Sequence, residues 1–151
     1  MGRLHLAAAP FMFDIRLLKP ETTMITGLYG ALIALVFLAL SARVIMYRRA
    51  NQLGLGDHGD KSLMKRMRAQ ANCAEYAPFG LLLMLLVDLQ NPTPIVLHVI
   101  GTLLLLGRAA HGYGFSASPP KMNLRAGGML LTLASFLGSI FCLIFLAFAR
   151  F

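Results

Sequence analysis

Of 151 residues, 58% are apolar and only 13% are charged, against about 45–50% and about 25% in an ordinary soluble domain. One small globule cannot hide that excess from water. The 14 basic and 6 acidic side chains give a net charge of +8, and the basic residues gather between long apolar runs, which points to a bilayer and away from nucleic acid.

In chain order, residues 1–21 are mixed in character, with Pro10 and Pro20, and are expected to form a surface arm or a disordered tail. A run over about 22–47 carries no charge before Arg43 and is long enough to cross the roughly 30 Å hydrocarbon core. It lacks a small-residue cleavage motif near its end, so it reads as a retained span and not as a secretory signal. A second segment, about 62–89, is polar in its first turns and wholly apolar from Tyr76 to Val87. The third and fourth cover about 94–114 and about 124–149. Backbone groups in lipid must be satisfied within the segment, which makes all four helices. The fold expected is an all-α membrane protein, a bundle of four transmembrane helices over 22–151.

The links are short. Asn91-Pro92-Thr93-Pro94 is an uncharged tight turn, and Pro119-Pro120 breaks the chain between the last two helices. The longest link, 48–67, is polar and basic. Arg48, Arg49, Lys61, Lys65, Arg66 and Arg68 cluster there, and Arg108, Lys121 and Arg125 flank the third link. The positive-inside rule therefore puts 48–67 and 114–123 in the cytoplasm and both termini on the opposite side. The membrane is the inner one in a bacterium and the endoplasmic reticulum in a eukaryote.

Ionisable side chains within a span are expensive and mark function by default. Arg68, Asn72 and Glu75 stand at i, i+4 and i+7 and share one helix face, with Tyr76 at its edge. Pro78 follows and frees the carbonyl of Ala74. A purely structural seam is one reading, with Arg68 paired to Glu75 through neighbours and Asn72 bonded across helices. Against it stands a second polar group at the same depth: Arg108 and His111 near the end of the third helix, and Arg125 at the start of the fourth. Three arginines, a histidine, an amide and one carboxylate suit a small anionic ligand that carries one ammonium group.

The segment Arg68-Ala69-Gln70-Ala71-Asn72-Cys73-Ala74-Glu75-Tyr76-Ala77-Pro78 resembles the second-helix signature of the MAPEG family, the membrane-associated proteins of eicosanoid and glutathione metabolism. Gly107-Arg108-Ala109-Ala110-His111 and Leu124-Arg125-Ala126-Gly127-Gly128-Met129 are similar to two further stretches of that family. The resemblance covers most of the chain from Met24 onward and leaves the first 23 residues unmatched. It implies a homotrimer of four-helix subunits that holds glutathione between neighbours near the cytoplasmic face. It also implies a glutathione-dependent transferase or peroxidase acting on lipophilic electrophiles or hydroperoxides, with glutathione as cosubstrate and no metal. Arg68, Asn72 and Glu75 would hold the carboxylates and amino group of the peptide, with Tyr76 adjoining. His111 would line the pocket, Arg125 would sit beside the sulfur as the catalytic cation, and Arg108 and Arg43 would stand at the rim or the subunit contact. Family enzymes often carry a tyrosine one turn after the His111 position, where this chain has Phe115; Tyr113 lies about 200° around the helix.

Two other functions compete: a family-like scaffold without glutathione activity, and a small four-helix transporter using Glu75 as its proton site. The arginine surplus around Glu75 argues against a cation carrier. Elsewhere, Gly54-Leu55-Gly56-Asp57-His58-Gly59 spells a dinucleotide-type glycine motif, but no strand–helix unit surrounds it, so a solvated turn is expected. Cys73 is expected to be a packing residue and His98 to bond a neighbour. Asp88 is expected to snorkel or cap. Gly30 with Ala34, and Ala134 with Gly138, have the spacing for close helix approach.

Overall fold

The computed structural model describes residues 20–149, with side chains from Met24 to Ala149; the expected arm at 1–21 lies almost wholly outside the described residues. Four helices are present: α1 Pro20–Ala50, α2 Lys61–Asp88, α3 Pro94–Ser116 and α4 Met122–Phe148. Each is long and apolar enough to cross a membrane. The expected segments fall within a few residues of these bounds.

The ends are set by local chemistry. The glycine-rich stretch before α2 is a turn, with Gly56 and Gly59 at left-handed φ of 79° and 75°, a conformation that glycine adopts without a Cβ clash. It delivers Asp60 to the α2 N-cap, where Oδ1 accepts from the amides of Ser62 at 2.7 Å and Leu63 at 3.0 Å. Tyr47 of α1 donates to the other carboxylate oxygen at 2.9 Å, which ties the end of one helix to the start of the next. The Leu63 amide above all, helped by Tyr47, Ser62 and the Arg66 charge and opposed by desolvation, holds the Asp60 carboxyl below the ordinary carboxylate range. At the other end of α2, Asn91 takes φ 55° in the turn, and Pro94 opens α3 at its first position. Helix α3 runs two residues beyond the expected 114. Arg43 of α1 donates to the Ser116 carbonyl and hydroxyl, at 3.3 and 2.8 Å, and so satisfies that helix end.

Helices α2 and α3 form the centre. Each packs on the other, α1 packs on both, and α4 packs on both; among the described residues α1 and α4 do not meet. One apolar cluster, including Ile33, Leu40, Cys73, Ala77 and Leu104, fills the half nearer the basic links. A second, of Tyr29, Met84, Val87, Leu97 and Ile100, fills the half nearer the Asn91 turn. Leucines and phenylalanines of α1 and α4, such as Leu35, Leu38, Leu137 and Phe141, point outward at more than half exposure, as surfaces in lipid do.

The closest helix contact is between α3 and α4, and glycine makes it. A Cβ on Gly107 would lie 2.5 Å from Thr132 Oγ1, one on Gly128 2.4 Å from the His111 amide nitrogen, and one on Gly114 2.6 Å from the Arg125 nitrogen. The small residues singled out by spacing do not play this part. Gly30 meets nothing within 4 Å and lines with Ala34 an apolar groove of about 240 Å³ between α1 and α2, while Gly138 makes only an ordinary contact with Ile100. Spacing locates small residues but not the face that meets a neighbour. Asp88 also differs from expectation. It is buried and its Oδ2 accepts from Thr26 Oγ1 at 2.6 Å, a donor that α1 supplies at that level, while Oδ1 is buried without a partner among the described residues.

Two outcomes follow from these contacts. Gly128→Ala forces apart two backbones and lowers stability by about 1–3 kcal/mol or more, whereas Gly127→Ala, with nothing within 4 Å of the new methyl, raises it by up to about 1 kcal/mol through helix propensity; thermal melting in detergent compares the two. Asp60→Asn keeps a capping side chain but removes a carboxylate whose native pKa is depressed. The stability which that charge adds is present above the unfolded Asp value of about 3.9 and is lost as pH falls through the lower native value. The melting advantage of wild type over Asp60→Asn is therefore full near neutrality and vanishes in acid.

Candidate functional site

The face expected on α2 is formed. Arg68, Asn72 and Glu75, with Ala71 between them, line one side of a cavity of about 310 Å³. Phe115 from the last turn of α3 and Arg125 from the first turn of α4 line the other side. The volume sits at the lower end of the roughly 300–1,000 Å³ usual for small-molecule sites. Arg68, Glu75 and Arg125 are exposed and Asn72 and Phe115 are half-buried, so the charged groups surround an opening and the apolar ring forms part of the wall.

Two helix contacts place Arg125. The absence of a side chain at Gly114 brings the Arg125 backbone against α3. Its guanidinium then lies 4.1 Å from the centre of the Phe115 ring, a cation–π contact that orients the charge. Phe115 in turn packs on His111, ring centres 5.8 Å apart.

A second layer lies behind the cavity wall. Arg108 is 1% exposed, and its neighbours are neutral. Its Nη1 donates to Asn72 Oδ1 at 2.9 Å, and its Nε and Nη2 donate to Thr132 Oγ1 at 3.0 and 2.7 Å. The guanidinium carbon lies 5.2 Å from the centre of the Tyr76 ring, and Nη2 lies 3.9 Å from Met129 Sδ. Tyr76 also stacks on Phe136, with ring centres 6.2 Å apart. His111 is buried at 4% exposure.

Of the eight residues that the sequence singles out, the structure thus brings four, Arg68, Asn72, Glu75 and Arg125, around one cavity. Arg108, Tyr76 and His111 stand one layer beneath them. Arg43 stands apart, on the α1–α3 contact, because its guanidinium is engaged by Ser116. Tyr113 points away from the cavity, half exposed, beside the Lys121 ammonium. Thr132 escapes sequence reasoning, although a signal exists: Thr132, Ser135 and Ser139 form a buried polar line at i, i+3 and i+7 on an otherwise apolar helix. Each hydroxyl donates to a backbone carbonyl, of Gly128, Ile100 and Ser135 in turn. Cys73 packs in the core on the far side of α2, and His98 pairs with the Tyr29 hydroxyl at 3.2 Å.

In chemical terms the cavity presents two cations, an amide and one carboxylate. It can grip an anion by charge-assisted hydrogen bonds while one acid receives an ammonium group.

Comparison with known proteins agrees with this arrangement at the level of family. The MAPEG family profile matches residues 26–145. The inner membrane protein YecN of Escherichia coli strain K12 is 34% identical over 92 residues, or 61% of this chain and 70% of that protein, and the YecN of E. coli O6:H1 strain CFT073 matches to the same extent. The family match takes in α2 and α3 entire, most of α1 and nearly all of α4. With four apolar helices and that match, the chain is a multi-pass membrane protein, and it belongs to the MAPEG family.

Proposed function

We propose that the protein is a glutathione-dependent membrane transferase or peroxidase. The observation that carries this reading is the convergence of Arg68, Asn72, Glu75 and Arg125, from two helices, on one cavity. Glutathione has two carboxylates, one ammonium and a thiol. The donor set fits it: Arg68 and Asn72 receive carboxylate or carbonyl oxygen, and Glu75 receives the ammonium.

A free thiol of this kind has a pKa of about 8.5 and is only a few per cent ionised at neutral pH. A guanidinium stays protonated and presents several donors, so Arg125 favours the thiolate and lowers its pKa by roughly 1–3 units. When bound, glutathione supplies the nucleophile that attacks a lipophilic electrophile or hydroperoxide. No serine or cysteine of the protein is required for that step. Phe115 keeps water from one side of the sulfur site and holds Arg125 by stacking.

The assembly proposed is a homotrimer, with glutathione between neighbouring subunits. Arg68, Glu75 and Arg125 are exposed at the edge of a single subunit, which supports closure of the site by a second one. Links 48–67 and 114–123 face the cytoplasm and the termini the opposite side, a placement supported by the basic residues gathered at those links. The relatives named inner membrane proteins support a bacterial inner membrane as the location.

Calorimetric titration of glutathione into the detergent-purified protein tests the reading. Wild type is expected to bind, and Arg68→Ala to bind about tenfold to hundredfold more weakly, as loss of a charge-assisted contact predicts. No binding by wild type overturns the proposal in favour of a family scaffold. Arg125→Ala is expected to retain binding within a few-fold but to lose most turnover of a chloronitroaromatic electrophile at neutral pH, with activity returning as pH rises toward the free thiol value. Undiminished turnover at neutral pH removes Arg125 from the chemistry.

A further inference from the structure

Asn72 lines the cavity, but one end of its amide is already committed. Its Oδ1 accepts from Arg108 Nη1 at 2.9 Å. A guanidinium has five donors and no acceptor, so the flipped amide, with its NH2 toward Arg108, cannot satisfy this contact. The Asn72 NH2 is therefore the end left for the cavity.

Arg108 is itself held in place. Thr132 gives its hydroxyl hydrogen to the Gly128 carbonyl at 2.9 Å, which leaves both hydroxyl lone pairs for Arg108 Nε and Nη2. The Tyr76 ring lies 5.2 Å from the guanidinium carbon and faces the same charge. Arg108 heads two branches, one donating to Thr132 and on to the Gly128 carbonyl, the other donating to Asn72, and linked hydrogen bonds of this kind strengthen one another in a low-dielectric interior. Arg108, at 1% exposure, does not line the cavity.

We infer that Arg108 is a positioning residue for ligand recognition: anchored by Thr132, it locks the Asn72 amide so that its NH2 faces the cavity and reads an acceptor oxygen of the bound peptide. The polarity of the site then follows. Arg68, Arg125 and Asn72 all donate, and Glu75 is the acceptor among the charged lining groups, so the ligand's ammonium has one place to go and its oxygens the others. This inference rests on the glutathione reading above and adds to it the orientation of the ligand.

The test is a pair of double-mutant cycles on the full-length detergent-purified protein, read by calorimetric titration of glutathione and by KM and kcat with a chloronitroaromatic electrophile. Asn72→Ala is expected to weaken binding about tenfold to hundredfold, the loss of one hydrogen bond to a charged group. Arg108→Met should do the same, and the double variant should be no worse than either single one. Arg108→Gln, which can still donate to Asn72 Oδ1, should recover part of the loss. Where Arg108→Met fails to fold, Thr132→Val carries the same cycle. It frees the guanidinium without altering the cavity wall, and should raise KM for glutathione several-fold with kcat unchanged in the Asn72 protein, and change neither in Asn72→Ala. Additive effects in wild-type-like folded variants, or a Thr132→Val effect that persists in Asn72→Ala, overturn the inference alone. Absence of glutathione binding by wild type overturns the function reading and this inference with it.

Discussion

A guanidinium taken out of water in the middle of the bundle constrains three of the four helices at once. Moving such an ion into a medium of low dielectric costs several kcal/mol unless its donors are met. Arg108 meets that cost with Asn72 from α2, Thr132 and Met129 from α4, and the face of Tyr76. Each partner has to be at the right height and angle, so the rotation of α2 and of α4 about their axes is fixed by one side chain of α3. The glycines at 107 and 128 make this possible, since they bring the α4 backbone close enough for Thr132 to reach. Packing and electrostatics specify the same geometry here, and consistency of that kind marks a well-determined fold.

The same geometry divides α2 into two unlike faces. Cys73 and Ala77 are buried against Ile33, Leu40 and Leu104, while Asn72 and Glu75, a fraction of a turn away, open on the polar cavity. Within a membrane such a division is stable only if the charged face is shielded from hydrocarbon. Helices α3 and α4 cover one side of it through Phe115 and Arg125, while Arg68, Glu75 and Arg125 stay exposed, and the charged groups lie in the half of the bundle nearest the basic links.

Much of this was legible in the residues. Four apolar runs of spanning length can hardly be anything but helices, and their ends were displaced by only a few residues, where Arg43 prolongs α3 or Asp60 caps α2. The i, i+4, i+7 face of Arg68, Asn72 and Glu75 belongs to one helix, so periodicity alone determines it. What periodicity cannot supply is the rotation of one helix against another. Arg108, His111 and Arg125 share a depth in the sequence, where the family resemblance places His111 on the pocket lining and Arg108 at the rim or the subunit contact, yet Arg125 faces the cavity and the other two lie behind its wall. Asp88 illustrates the same gap: its burial depends on Thr26, a donor from 62 residues earlier in the chain that no local pattern connects to it. The small-residue pairs Gly30 with Ala34 and Ala134 with Gly138 have the spacing for close approach, but within the subunit Gly30 has nothing within 4 Å and Gly138 makes only an ordinary contact with Ile100.

Phe115 marks where this chain departs from the tyrosine common in its family, and the structure gives the ring a role that needs no hydroxyl. It lies between Arg125 and His111, at 4.1 and 5.8 Å from ring centre to guanidinium carbon and to imidazole centre. A guanidinium stacked on a ring keeps its N–H groups in its own plane, free to donate sideways. Arg125 is a long, exposed side chain with considerable rotamer freedom to lose on binding, and the ring contact removes part of that freedom beforehand. A phenol at this position would add a neutral donor; the phenyl ring leaves stabilisation of an anion in the cavity to the cations and the Asn72 amide. Such a site depends strongly on the placement of a few charges, and that placement is governed by the α3–α4 contact that seats Arg125 and by the buried guanidinium that orients Asn72.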